Sequence, residues 1–266
     1  MTSLPPHYNH SLLTEGQCDA VEVVLVSPRN PLNIGAAARA MANFGFRHLA
    51  VVAPYAPMWR EARSAVGAPE ILLNAAETTS LGEAVAASTL VVGTGTLTYR
   101  KPEQRVVTLP ELAPLVGREL GRSGRVAMVF GTEKHGLTRD DLSYCHILVE
   151  IPTDARQPSM NLGQAVAVCL YELATRGDSG AAPDRGDVEL TAAPSGRLEL
   201  LAGVVEETMR AAGYSPGTMQ EANRHDLRLL LRRLGLPERD LRRILGLFRQ
   251  ILWRLRHAAE GGGKAD

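Results

Sequence analysis

An α/β domain built on a mostly parallel sheet, followed by a small α-helical domain, is the fold class this sequence predicts. Three observations point to it. Short, β-branched apolar runs alternate with longer helix-like segments between Val21 and Arg176, which is the pattern of βαβ units. A stretch rich in Gly, Pro, Ala and Asp interrupts that pattern at 177–196, and such a composition makes a flexible linker. Amphipathic helical segments then follow at 197–257.

Taken in order, residues 1–18 read as a flexible lead-in to a domain spanning 19–176. Strands are expected at 21–27, 48–54, 89–95, 126–132 and 146–152. Their near-continuous apolar character fits a parallel sheet covered on both faces. Helices are expected between them at 33–44, 70–87, 109–120 and 159–176, with Gly, Pro and Asn at the junctions. Beyond the linker, three helices are expected at 197–212, 221–234 and 238–257. "GLP" at 235–237 supplies a helix stop and then a proline at the next helix entry. Residues 258–266 read as a disordered tail.

Composition excludes several classes. With 29 basic and 29 acidic residues, whole-chain charge indicates no partner. Its distribution is more informative, because 197–257 holds 12 arginines against seven acidic residues. The only lysines are Lys101, Lys134 and Lys264; arginine favours planar, two-pronged contacts to phosphate or carboxylate. A solvated helix face is the plainer alternative. Cys18, Cys145 and Cys169 are scattered without C-x-x-C pairing or metal-ligand spacing, so neither a disulfide framework nor a metal site is expected. No basic start leads into an apolar run, and no stretch of about 18 apolar residues occurs. A cytoplasmic protein without a membrane segment is the expectation.

A dinucleotide fingerprint fails at "VVGTG" (91–95), where Thr98 stands in place of the third glycine and no helix start follows. A P-loop is absent as well. Three other stretches are better candidates. In "NPLNIGAAARAMANFG" (30–45), Asn33 is a candidate helix cap, small residues allow close approach, and Arg39 stands out among them. A salt bridge to a nearby acid is the alternative role for Arg39. "VFGTEKHGLTRDDL" (129–142) runs from a strand end through a glycine-containing loop, where Glu133 is either functional or a surface residue, to a helix capped by Thr138. Ligands in open α/β sheets bind at such strand ends. "IPTDARQPSMNLGQAVAVCLYEL" (151–173) leaves another strand and enters a helix, with Ser159 either its N-cap or, with the Asn161 amide, a ligand-orienting group.

Together these stretches resemble motifs one, two and three of the SpoU-type RNA 2′-O-methyltransferases of the SPOUT superfamily. The matching residues are Asn33, Gly35 and Arg39; then Phe130, Gly131, Glu133, Gly136 and Leu137; then Ile151, Pro152, Ser159, Met160 and Asn161. The likeness covers about residues 20–176, and the layout with a C-terminal helical domain is similar to the TrmJ-type members. Met160 departs from the commoner leucine, a volume-conserving swap.

The resemblance implies a C-terminal trefoil knot in the α/β domain, holding S-adenosyl-L-methionine. It places the cofactor against Thr94, Gly95 and Thr96, against Gly131, and against Ile151, Pro158, Ser159 and Met160. It makes Arg39 the first catalytic residue, either a guanidine forced neutral or a cation at the developing alkoxide, with Asn33, Glu133, Ser159 and Asn161 positioning the ribose and Arg39. It further implies a homodimer with the active site at the subunit interface. The expected substrate is tRNA or another structured RNA, methylated on a pyrimidine ribose in the anticodon loop at position 32. A ribosomal RNA methyltransferase and a catalytically silent RNA-binding module are the alternatives. RNA phosphates are expected at Arg224, Arg228, Arg232, Arg233, Arg239, Arg242 and Arg243.

Overall fold

The computed structural model describes residues 13–95, 102–176, 192–214 and 219–261, with side chains as far as 257. Seven strands form one sheet: β1 (Val21–Val26), β2 (His48–Val52), β3 (Ala76–Thr78), β4 (Leu90–Thr94), β5 (Arg105–Thr108), β6 (Val126–Phe130) and β7 (Ile147–Glu150), in the order β3-β2-β1-β6-β4-β7-β5. Every pairing is parallel.

Both faces are covered, as the apolar runs require. Alternate side chains of one strand go to opposite sides, and β1 shows it. Val23 and Leu25 join a core with Phe130, Leu112 and Leu170, whereas Val24 and Val26 join one with Val129, Leu137 and Leu148. On the first side lie α2 (Pro31–Asn43), α5 (Leu109–Gly121) and α7 (Leu162–Arg176); on the second, α4 (Leu81–Ala84) and α6 (Arg139–Ser143).

The structure departs from expectation in several places. Part of the lead-in is packed: Thr14 caps α1 (Glu15–Asp19) with a full capping box, and Leu13 and Cys18 are buried. The single helix expected at 70–87 is α3 (Pro69–Leu73), the strand β3 and α4, broken where Ser80 accepts from the Glu83 N–H as an N-cap. The short strands β3 and β5 lie at the two sheet edges.

The C-terminal region is α8 (Ser195–Ala211), α9 (Gln220–Leu234) and α10 (Glu238–Gly261), closed around Leu198, Leu201, Val205, Leu231, Leu241 and Leu245. Gly235 ends α9 in the left-handed conformation at φ 55°, which glycine adopts without steric cost. This unit is seated on the sheet domain. Ser195 and Gly196 donate their N–H groups to the Ser88 and Ala86 carbonyls. No described helix is long and apolar enough to cross a membrane, and no described cluster of His, Cys, Asp and Glu could hold a metal.

Candidate active site

The strands β4, β6 and β7 lie side by side, and their carboxyl ends open into one cavity of ≈ 330 Å³. That size is at the lower end of the roughly 300–1,000 Å³ typical of small-molecule sites. From β4 come Thr94 and Gly95; from the loop after β6, Gly131 and Glu133; from the segment after β7, Ile151, Pro158, Ser159 and Met160. The structure thus brings together every described residue of the expected cofactor set, while Thr96 lies outside the described residues. The motif residues Phe130, Gly136 and Leu137 also line it, together with Thr132, Lys134, His135, Thr153, Leu162 and Ala165, which were not singled out from sequence as site residues. Their position next to motif residues was the available signal.

Each wall has a local cause. Thr132 and Gly136 exchange backbone hydrogen bonds, folding the loop after β6 back on itself. A Cβ at Gly131 would come within 2.1 Å of the Gly136 carbonyl carbon, so only glycine fits there. Thr153 Oγ1 donates to the Pro158 carbonyl at 3.1 Å, and Asp154 accepts from both the backbone and the guanidinium of Arg156. These bonds shape the loop that carries Ser159. Thr94 is tethered in turn, its hydroxyl donating to the Val129 carbonyl at 3.0 Å.

Behind the cavity runs a polar chain that links all three motif stretches. Asn161 Nδ2 donates to Asn33 Oδ1 at 2.9 Å, and Asn33 Nδ2 donates to Glu133 Oε1 at 3.0 Å. Glu133 also accepts the Arg29 and Asn30 N–H groups at 3.0 Å each. Partial burial alone would raise the Glu133 carboxyl, but the Asn33 amide and the Asn30, Glu133 and Arg29 N–H groups outweigh it and hold the pKa below the ordinary value. Glu133 is therefore a fixed carboxylate and an acceptor, not a base poised near neutral pH.

Two cap assignments change. Asn30, not Asn33, caps α2: its side chain accepts from the Leu32 N–H, and Pro31 takes the first helical position. Asn33 is thereby free to bridge Asn161 and Glu133. At α7, Asn161 Oδ1 accepts the Gly163 and Gln164 N–H groups, so Asn161 fills the role expected of Ser159, which faces the cavity. The small residues of α2 serve packing on α7 and on the 62–65 segment. A Cβ at Gly163 would approach Ala36 Cβ to 2.7 Å.

Arg39 is exposed on α2 and makes no ion pair or hydrogen bond among the described residues, so the salt-bridge alternative is not realised. It does not line the cavity of its own chain, and neither do Asn33 and Asn161.

The arginines expected to meet RNA divide into two groups. Arg224 makes a two-pronged pair with Glu206. Arg228 bonds to Glu199 and Asp140 and lies 4.2 Å over the Tyr144 ring. Arg232, whose side chain is 2% exposed, bonds to Glu199 and to the Tyr144 carbonyl. These last two fasten α9 to the α6 region and are not available to RNA. Arg233, Arg239, Arg242 and Arg243 are exposed.

Residues 20–171 match the SpoU rRNA Methylase family. The chain belongs to the SpoU family. Among SpoU relatives, a tRNA (cytidine/uridine-2′-O-)-methyltransferase TrmJ of Salmonella choleraesuis is 33% identical over 245 residues, covering 87% of this chain and 94% of the relative. A tRNA (cytidine-2′-O-)-methyltransferase TrmJ of Methanocaldococcus jannaschii is 38% identical over 158 residues, or 59% of this chain and 68% of the relative. The crystal structure of TrmJ from Z. mobilis ZM4 aligns with a TM-score of 0.75 at 29% identity, covering 86% of this chain and 98% of that chain. The likeness therefore extends past the SpoU domain into the C-terminal helices.

Proposed function

We propose that this chain transfers a methyl group from S-adenosyl-L-methionine to the 2′-hydroxyl of a pyrimidine ribose in tRNA, at position 32 of the anticodon loop. The observation that carries the reading is one cavity walled by the end of β4 and by the second and third motif stretches, to which the first stretch is tied through the Asn161–Asn33–Glu133 chain. The relatives named as tRNA 2′-O-methyltransferases support the choice of substrate.

The cavity suits the cofactor. Ile151, Met160, Leu162 and Ala165 provide an apolar slot for an adenine ring, and the cramped backbone at Gly131 and Gly136 lets peptide groups approach it. When bound, the cofactor supplies a methyl group activated by an adjoining sulfonium. The protein's remaining task is to hold the ribose oxygen in line and to manage its negative charge. Ser159 is at the cavity wall for the first purpose, with the loop held by Asn161.

Arg39 serves the second purpose in this reading, from a second copy of the chain. Its exposed position away from its own cavity supports a homodimer with the active site at the subunit interface. Guanidinium groups remain charged in proteins, so Arg39 acts as a cation that stabilises the developing alkoxide and holds the neighbouring phosphate. The reading also carries the trefoil knot, formed by the segment that includes β6, β7 and α7.

The test is transfer of labelled methyl to bulk unmodified tRNA and, separately, to ribosomal RNA, followed by nucleoside analysis. The expected product is a ribose-methylated pyrimidine from tRNA. Arg39→Ala should lower transfer by about 10²–10³-fold, the effect of removing one transition-state donor, with cofactor affinity unchanged. Transfer to ribosomal RNA alone would reassign the substrate. Saturable cofactor binding without transfer to either RNA would indicate a silent binding module, and a fully active monomer would overturn the interface site.

A further inference from the structure

The helix α10 carries a surface that the cavity does not use. From Leu241 to His257 it has five arginines and no Asp or Glu. Leu241, Leu245 and Leu252 bury one side of it. At 3.6 residues per turn, Arg242, Arg249, Trp253 and Arg256 fall within about 60° of one another on another side. Trp253 is 49% exposed, whereas Trp59, the other tryptophan, is fully buried. The His257 ring stacks on Trp253 at 4.2 Å with a 32° tilt, and the Arg254 guanidinium lies 5.6 Å from the indole centre.

The charges here differ from those on α9. Arg242 has Glu238 as a partner and Arg256 has Glu207, but Arg243, Arg249 and Arg254 form no ion pair among the described residues. A Cβ at Gly246 would meet nothing within 4 Å, which leaves the backbone open between Arg242 and Arg249. Exposed aromatic rings among unpaired cations are the means by which proteins hold single-stranded nucleic acid. Bases stack regardless of identity, and guanidinium groups take the phosphates.

We propose that the exposed surface of α10 around Trp253 is an RNA-stacking surface: an unpaired base extends the Trp253–His257 stack while Arg249 and Arg254, one on each flank of Trp253, hold the neighbouring phosphates. The inference rests on the reading that the substrate is RNA. A second copy of the chain is the poorer occupant, because a two-fold contact would set five arginines against their own equivalents.

The test titrates the full chain with bulk unmodified tRNA and follows intrinsic fluorescence, in which Trp253 is the solvent-facing reporter. Quenching is expected for the parent protein. Trp253→Ala should weaken tRNA binding by roughly 5- to 150-fold, the range for loss of one stacked base, and Trp253→Phe should restore most of it. Arg249→Ala combined with Arg254→Ala should flatten the slope of log affinity against log salt by about 1.4–1.8. Cofactor affinity by calorimetry should be unchanged in all three. If Trp253→Ala binds and methylates tRNA like the parent, the stacking surface is wrong and the substrate reading stands. If the parent neither binds nor methylates RNA, the substrate reading falls and takes the surface with it. If Trp253→Ala alters sedimentation while RNA affinity is unchanged, the face joins two copies and the proposal is overturned.

Discussion

Asn161 and Asn33, separated by 128 positions, share a 2.9 Å hydrogen bond between their side-chain amides. That bond ties the cap of α7 to the first turn of α2, and Asn33 passes the connection to Glu133. The three residues act as one unit. A double-mutant cycle between Asn33→Ala and Asn161→Ala, followed by urea unfolding, should give a coupling energy of about 0.5–3 kcal/mol. Additive effects would mean that the two caps are independent and that the chain of bonds has no energetic role.

Gly131→Ala tests the shape of the cavity wall. Its methyl group would press on the backbone at Gly136 and Leu137, with contacts of 2.1 and 2.2 Å to their heavy atoms. All three of the nearest atoms belong to the Gly136–Leu137 backbone, so no flexible side chain can move aside. Calorimetry should show cofactor binding weakened by roughly 5- to 150-fold, as strain of about 1–3 kcal/mol is relieved by distorting the loop. Native affinity in this variant would mean that the loop after β6 does not set the site.

His146 predicts a pH dependence of stability. Its Nδ1 accepts the Val91 N–H at 3.0 Å, and burial, aided by the Arg232 charge, pushes its pKa down to about 3. The unfolded chain takes up this proton near pH 6.5 and the folded chain does not. Stability from this group is therefore complete above pH 6.5 and is lost progressively as pH falls toward 3. Between pH 8 and 5.5 the loss should be on the order of 1 kcal/mol. Urea melts of His146→Gln should lack that slope; an unchanged slope would assign it to other groups.

Arg232→Ala tests the fastening of the helical domain. Its guanidinium is buried on Glu199 and the Tyr144 carbonyl. Removing one partner of a buried pair costs roughly 3–5 kcal/mol, and Arg228 remains on Glu199, so about 3 kcal/mol is expected. Thermal unfolding should then resolve earlier loss of the helical domain. A single transition at the parent temperature would show that the apolar core of α8, α9 and α10 suffices.

Most of the sheet could be read from the chain because its central strands are buried on both faces and therefore apolar throughout. The edge strands could not. "AET" in β3 is half in solvent and has no apolar pattern, and β5 buries only Val107. The helix expected over 70–87 failed on a signal that was present, the serine at 80 followed by Glu83. Likewise, Pro31 marks Asn30 as the cap of α2 and frees Asn33 for the site. The cavity walls were legible through the motif resemblance, whereas the division among the arginines was not. Charge counts along a helix cannot distinguish Arg232, which meets Glu199 on a different helix, from Arg249, which meets no acid among the described residues.

The pairing of β1 with β6 has a consequence for how the molecule is made. Val21 waits for Val126 as its neighbour, and parallel strands so far apart close slowly. On a ribosome, β1 has one flank open until β6, which begins 105 residues after Val21, has been added, and the cavity closes only after Asn161 appears. Ligand binding then recognises only chains that have passed Ala165, the last residue of the cavity wall. By mass action, a saturating cofactor would stabilise chains that have passed that point and leave shorter ones to the proteases, so the cellular supply of the small molecule would also govern the lifetime of the protein that uses it.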